Sequence, residues 1–204
     1  MTRLLTILVP VLLTSFHAAP GHAEVAETGT TAARATVERF YAVLLEVMQR
    51  GEELAYEERY ARLDPVVQQV YDLPFMSAKT LGRYWKGLSE DERGRWISTF
   101  TRLTVSTYAD RFDEYSGQRF EVLTVQPSRH ETLIVRTQIV PVDEEPVELD
   151  YRLRRAEGDW RIIDVFMNGT VSELALRRSE YSSVFKREGF EALLSSLEEK
   201  IASP

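Results

Sequence analysis

Residues 147–185 read VELDYRLRRAEGDWRIIDVFMNGTVSELALRRSEYSSVF. Val147, Leu149, Tyr151 and Leu153 alternate with Glu148, Asp150, Arg152 and Arg154. An apolar residue at every second position marks a strand with one buried and one wet face. Residues 155–159 form a short turn in which Gly158 is free to take a positive φ. Residues 160–167 are apolar on both faces except at Arg161 and Asp164, the pattern of an inner strand covered on both sides. Asn168-Gly169-Thr170 then turns the chain into a helix, with Ser172 or Thr170 as its N-cap. A hairpin that ends in a covered strand and runs straight into a helix predicts an α+β domain.

Outward from this stretch, residues 119–126 and 132–140 read as two more strands, and every connection is of hairpin length. The expectation is a curled antiparallel sheet of four strands. Before it lie helices. Residues 31–49 carry Val37, Phe40, Tyr41, Leu44, Leu45 and Met48 at spacings of three and four, and Gly51 ends the run. Residues 53–70 read as one or two short helices broken near Asp64-Pro65. Asp72 is the expected N-cap of a helix reaching about Trp85, with Pro74 just inside. Ser89-Glu90-Asp91-Glu92 is a capping box that opens the longest helix, through about Tyr115. On that helix Ile97, Phe100, Thr104, Tyr108, Phe112 and Tyr115 form one stripe, widened by Trp96, Leu103 and Val105. Its apolar arc is broader than an ordinary core-facing stripe, so two of its sides should meet apolar material. After the sheet come two helices, residues 171–185 and 189–202.

The chain has 204 residues, a net charge of −7 and no cysteine. The length suits one domain with a full core. Without cysteine there is no disulfide, thiol nucleophile or thiolate metal site. The acidic balance argues against nucleic acid and against firm binding to an anionic membrane surface. Arg3 followed by the apolar run of residues 4–16 and by Gly21-His22-Ala23 reads as a cleavable signal peptide, residues 1–23. The alternative, an uncleaved anchor, is disfavoured because the run is too short to span a bilayer. Residues 24–30 read as a flexible lead, and residues 31–204 as a single domain. The expected location is the periplasm, and the expected state a monomer.

Catalytic and metal motifs are absent. After the leader, His130 is the one histidine, in a predicted hairpin turn, and no serine has a histidine partner. No cofactor fingerprint appears, and none is expected. Asp164 interrupts an apolar strand. Either it is structural, pairing with a base such as Arg178 or capping the following turn, or it is a general base in a cone-shaped sheet. The other unusual feature is large apolar side chains: three Trp, nine Tyr and nine Phe. They fill a plain core or surround a ligand cavity between the long helix and the sheet. The expected lining is Phe75, Trp85, Trp96, Phe100, Leu103 and Tyr108 from helices, and Val147, Leu149, Tyr151, Leu153, Ile163 and Val165 from strands.

Several of these residues carry a resemblance. Phe40-Tyr41, Tyr71-Asp72, Leu81-Gly82-Arg83-Tyr84-Trp85, Phe100, Tyr108, Trp160-Arg161-Ile162-Ile163-Asp164-Val165 and Gly169-Thr170-Val171-Ser172 resemble the toluene-tolerance or MlaC-like family. The likeness spans about residues 35–202. Residues 111–117 and 172–181 are similar to the hopanoid-biosynthesis-associated branch. There Arg178 and Tyr181 fit the main family's pattern and Leu176-Arg177 depart from it. The resemblance implies a nuclear-transport-factor-like cone wrapped by helices, with lipid tails in its cavity and a phospholipid or a hopanoid as ligand. It also implies hand-off to an inner-membrane lipid transporter and to an outer-membrane complex. The alternatives are a cavity enzyme or small-ligand binder using Asp164, and an adaptor with a solid core.

Overall fold

The computed structural model describes residues 20–202. The expected leader, residues 1–23, lies outside these apart from residues 20–23. Helices come first: α1 (Pro20–Gln49), α2 (Tyr56–Val70), α3 (Leu73–Leu81), a 3-10 turn (Gly82–Gly87) and α4 (Glu90–Arg111). The strands follow as β1 (Arg119–Ser128), β2 (Thr132–Val140), β3 (Val147–Ala156), β4 (Asp159–Met167) and β5 (Val171–Ser172), and α5 (Glu173–Ala202) closes the chain. The sheet is an antiparallel meander in the order β1-β2-β3-β4-β5. It has five strands where four were expected, because residues 171–172 return along β4 before α5 begins.

Local chemistry sets the helix boundaries. Asp72 accepts a hydrogen bond from the Phe75 amide at 3.2 Å, and Ser89 and Glu92 form the expected capping box. Several boundaries differ from the sequence reading, among them the end of α4, at Arg111 where about Tyr115 was expected. Residues 24–30, expected as a flexible lead, belong to α1; Glu24, Ala26 and Glu27 are good helix formers, and Gly29 leaves room for the Trp160 ring. Pro65 sits within α2 and does not break it. The helix after Asp72 is α-helical only to Leu81, where Gly82 takes a φ of 55°, and the chain continues as the 3-10 turn Gly82–Gly87. The two closing helices join in α5 across Gly189, which has φ 86°.

Tyr71 makes a parallel bridge to Ile162, and the Asp72 amide donates to the Ile162 carbonyl at 2.9 Å. The α2–α3 junction is thereby fastened to β4. Two bulges bend the sheet, one in β1 near Leu123 and one between β3 and β4. In the second, Arg152 pairs with Asp164 and Leu153 with Ile162, so Ile163 is the extra residue. That extra residue resets the alternation along β4. Val165 and Ile162 turn to the face that meets the long helix and the core, and Ile163 and Asp164 turn to the opposite face.

Candidate functional site

Between α4, α1 and the concave face of the sheet lies a cavity of about 120 Å³. Tyr41 and Leu44 line it from α1, and Tyr71 and Met76 from the helices that follow. Phe100, Thr104, Thr107, Tyr108 and Arg111 line it from α4, with Phe112 just beyond. The sheet contributes Phe120, Leu149, Tyr151, Val165 and Met167, and the first turns of α5 contribute Glu173, Leu174 and Arg177. The register explains the sheet's share. Tyr151 is flanked by Val135 and Val165, and Leu149 by Thr137 and Met167, so these side chains share one face.

Of the residues expected to line it, Phe100, Tyr108, Leu149, Tyr151 and Val165 do so. The others go elsewhere. Trp96 is fully buried among helices, donating Nε1–H to the Ser77 carbonyl at 3.0 Å and packing edge-on against Tyr181. Leu103 and Leu153 belong to the packed core. Val147 is 43% exposed at the start of its strand. Trp85 lies on the 3-10 turn beneath Arg93. Phe75 and Ile163 face a separate cleft on the other side of the sheet, Ile163 because of the bulge. Tyr41, Tyr71 and Phe120 also line it, as does the charged rim of Arg111, Glu173 and Arg177, none of which the sequence reading places there.

The polar groups inside are mostly phenols. Tyr71 and Tyr108 share a hydroxyl–hydroxyl hydrogen bond. Thr137 gives its single proton to the Leu149 carbonyl, so at 2.5 Å the Tyr41 hydroxyl donates to Thr137. Burial pushes the Tyr41 phenol up to about 12, and it raises Tyr71, Tyr108 and Tyr151 as well. All four are neutral at pH 7. The one carboxylate lining the cavity, Glu173, accepts from Arg177 Nε at 2.7 Å. The Arg177 guanidinium lies over the Phe100 ring at 5.7 Å, and its Nη1 is buried with no hydrogen-bond partner. The cavity is thus an apolar space with neutral hydroxyls within and charge at one edge.

Asp164 lines the opposite cleft. Its Oδ1 accepts from the amides of Val165 at 2.9 Å and Leu174 at 3.1 Å, and its Oδ2 accepts from the Ser172 hydroxyl at 2.7 Å. Ser172 in turn caps α5, accepting from the Ala175 amide at 3.0 Å. Asp164 therefore ties β4 to the start of α5. Arg178, expected as its partner, is exposed, with its guanidinium over Gly82; the basic group facing Asp164 across the strands is Arg152. Asp164→Asn should cost about 1 kcal/mol, since the amide oxygen still serves the two backbone amides. Asp164→Ala should cost roughly 3 kcal/mol, by denaturant titration at neutral pH. Burial also raises the Asp164 carboxyl above its ordinary value. The folded chain then holds the proton longer than the unfolded one, so stability falls as pH rises between the two values. Asp164→Asn should flatten that part of the acid limb.

The chain is thus an α+β fold whose bent antiparallel sheet holds an apolar cavity against a long helix. The model of the MlaC protein family matches residues 38–199, and the chain belongs to that family. It is similar to the intermembrane phospholipid transport system binding protein MlaC of Haemophilus influenzae, with 23% identity over 137 residues. That match covers 65% of this chain and 64% of the relative. Among solved structures it resembles a phospholipid-binding protein from Ralstonia solanacearum, determined in complex with a phospholipid, with a TM-score of 0.72 and 21% identity. This likeness covers 83% of the chain and 97% of the other and supports the curled-sheet fold. No helix among the described residues is long and apolar enough to cross a membrane.

Proposed function

We propose that this protein is a periplasmic lipid carrier, exported by its signal peptide and moving single lipids between membranes without chemical change. The observation that carries the reading is the apolar cavity between α4 and the sheet in a member of the MlaC family. Each buried CH₂ contributes about 0.8 kcal/mol, so two acyl chains or a pentacyclic ring system carry on the order of 15–25 kcal/mol of transfer free energy. Such a lipid does not cross water unaided. A carrier has to cover the tails and can leave the polar head outside. Phospholipid is the ligand favoured by the likeness to these two proteins, and a hopanoid presents the same apolar bulk. The cavity of about 120 Å³ takes little more than a small ring. Loading therefore has to part its walls, and the Glu173–Arg177 edge on the first turns of α5 is where a head group would emerge. The hand-off partners in this reading are an inner-membrane lipid transporter and an outer-membrane complex. A vesicle-to-vesicle transfer assay with a fluorescent phospholipid tests it. The mature protein should accelerate transfer in proportion to its concentration, and a rate no higher than that of the vesicles alone would count against the carrier.

A further inference from the structure

Across the sheet from the lipid cavity is a second concavity, a cleft of about 530 Å³. Its floor is apolar, formed by Phe75, Ile163 and Leu174. Its walls carry Lys79, Arg129, Arg152, Arg154 and Arg178, and Asp164 is the one carboxylate among its lining residues. These cations converge from α3, the β1–β2 turn, β3 and α5 in a chain whose net charge is −7. Three of these cations lie against aromatic rings. Arg154 lies 4.1 Å from the Phe75 ring centre and is fixed by Asp72 at 2.6 Å; Lys79 is 5.0 Å from the same ring. Arg152 lies over Phe166 at 5.0 Å, and its Nε is buried without a hydrogen-bond partner.

We propose that this cleft is a docking site for an acidic polypeptide segment of a partner protein, with apolar side chains between its carboxylates. Three features select that occupant. The positive charge is spread around the walls, so it matches several separated anions better than one small ion. The apolar floor offers burial to side chains that a phosphate lacks. The site is recessed, and the remainder of the acidic chain is repelled by an anionic bilayer, so a flat membrane surface is a poor fit. Association of this kind is steered electrostatically, which gives fast, salt-sensitive encounters suited to a transient partner. Leu174 lines both this cleft and the lipid cavity, so the docked segment would lie against a wall of the cavity.

The test uses the mature protein and a fluorescein-labelled peptide in which glutamates alternate with leucine and phenylalanine, followed by anisotropy. The peptide should bind, and binding should weaken as salt shortens the screening length. The double variant Lys79→Glu/Arg129→Glu changes two exposed residues outside the lipid cavity and should weaken binding about tenfold or more. Lys79→Arg/Arg129→Lys should retain it. Thermal melts and bound lipid should be unchanged in both variants. Peptide affinity indifferent to the charge reversal would overturn the proposal. So would no peptide binding at all, including the cases in which phosphatidylglycerol vesicles or inorganic phosphate bind in its place.

Discussion

Leu149→Arg is expected to yield a folded protein that loses its lipid. Leu149 is half-buried on the cavity face of β3, between Thr137 and Met167, and its side chain is part of the wall. A cation among lipid tails costs about 2.5–3.5 kcal/mol before any relief from a stem that reaches the edge. Lipid affinity should therefore fall roughly tenfold to a hundredfold. In the empty protein the same stem can extend towards the charged edge, so the circular dichroism melt should shift little. Leu149→Ala provides the companion measurement. It should cost less than the 2–5 kcal/mol of a packed core position, because one side of Leu149 already faces open space. A Leu149→Arg chain that fails to fold, beside a full core penalty for Leu149→Ala, would mean that this space is solid.

Trp96→Ala should have the opposite profile. Trp96 has no exposure and holds α4 against α3 through the Ser77 carbonyl and against α5 through Tyr181. Its removal should cost about 3–5 kcal/mol, measured by urea titration. Lipid bound per folded molecule should stay constant, since Trp96 does not line the cavity. Trp96→Phe should cost less, joining a lost hydrogen bond of about 1 kcal/mol to a smaller loss of packing. Lipid loss from Trp96→Ala at unchanged stability would return this residue to the cavity wall, where its place on the α4 stripe had put it in the sequence reading.

That pairing shows what the sequence could and could not convey. The Ser89–Glu92 capping box, the Asp72 cap and the alternation of β3 are local, and each was legible because its partners lie within a few residues. The cavity faces of β3 and α4 were legible in part: Leu149, Tyr151, Phe100 and Tyr108 follow from periodicity alone. Ile163 could not be placed that way, since one extra residue opposite the Arg152–Leu153 step inverts the face it presents. Trp96 and Leu103 share a helical stripe with Phe100, and periodicity does not say which part of a wide arc meets neighbouring helices and which meets a cavity. Tyr41, Tyr71 and Phe120 come from three separate elements and meet only through the tertiary fold. For Asp164 the sequence left two partners open, Arg178 or the turn that follows; its hydrogen bonds run to that turn, to Ser172 and the Leu174 amide.

One lipid is expected to occupy the space between α4 and the sheet. Native mass spectrometry of the protein recovered from its own cell envelope, wild type beside Leu149→Arg, tests it most directly. The wild-type chain should carry one lipid mass, and the folded variant should be largely without it. A wild type that is empty, or a variant that carries the same lipid in the same amount, would contradict it.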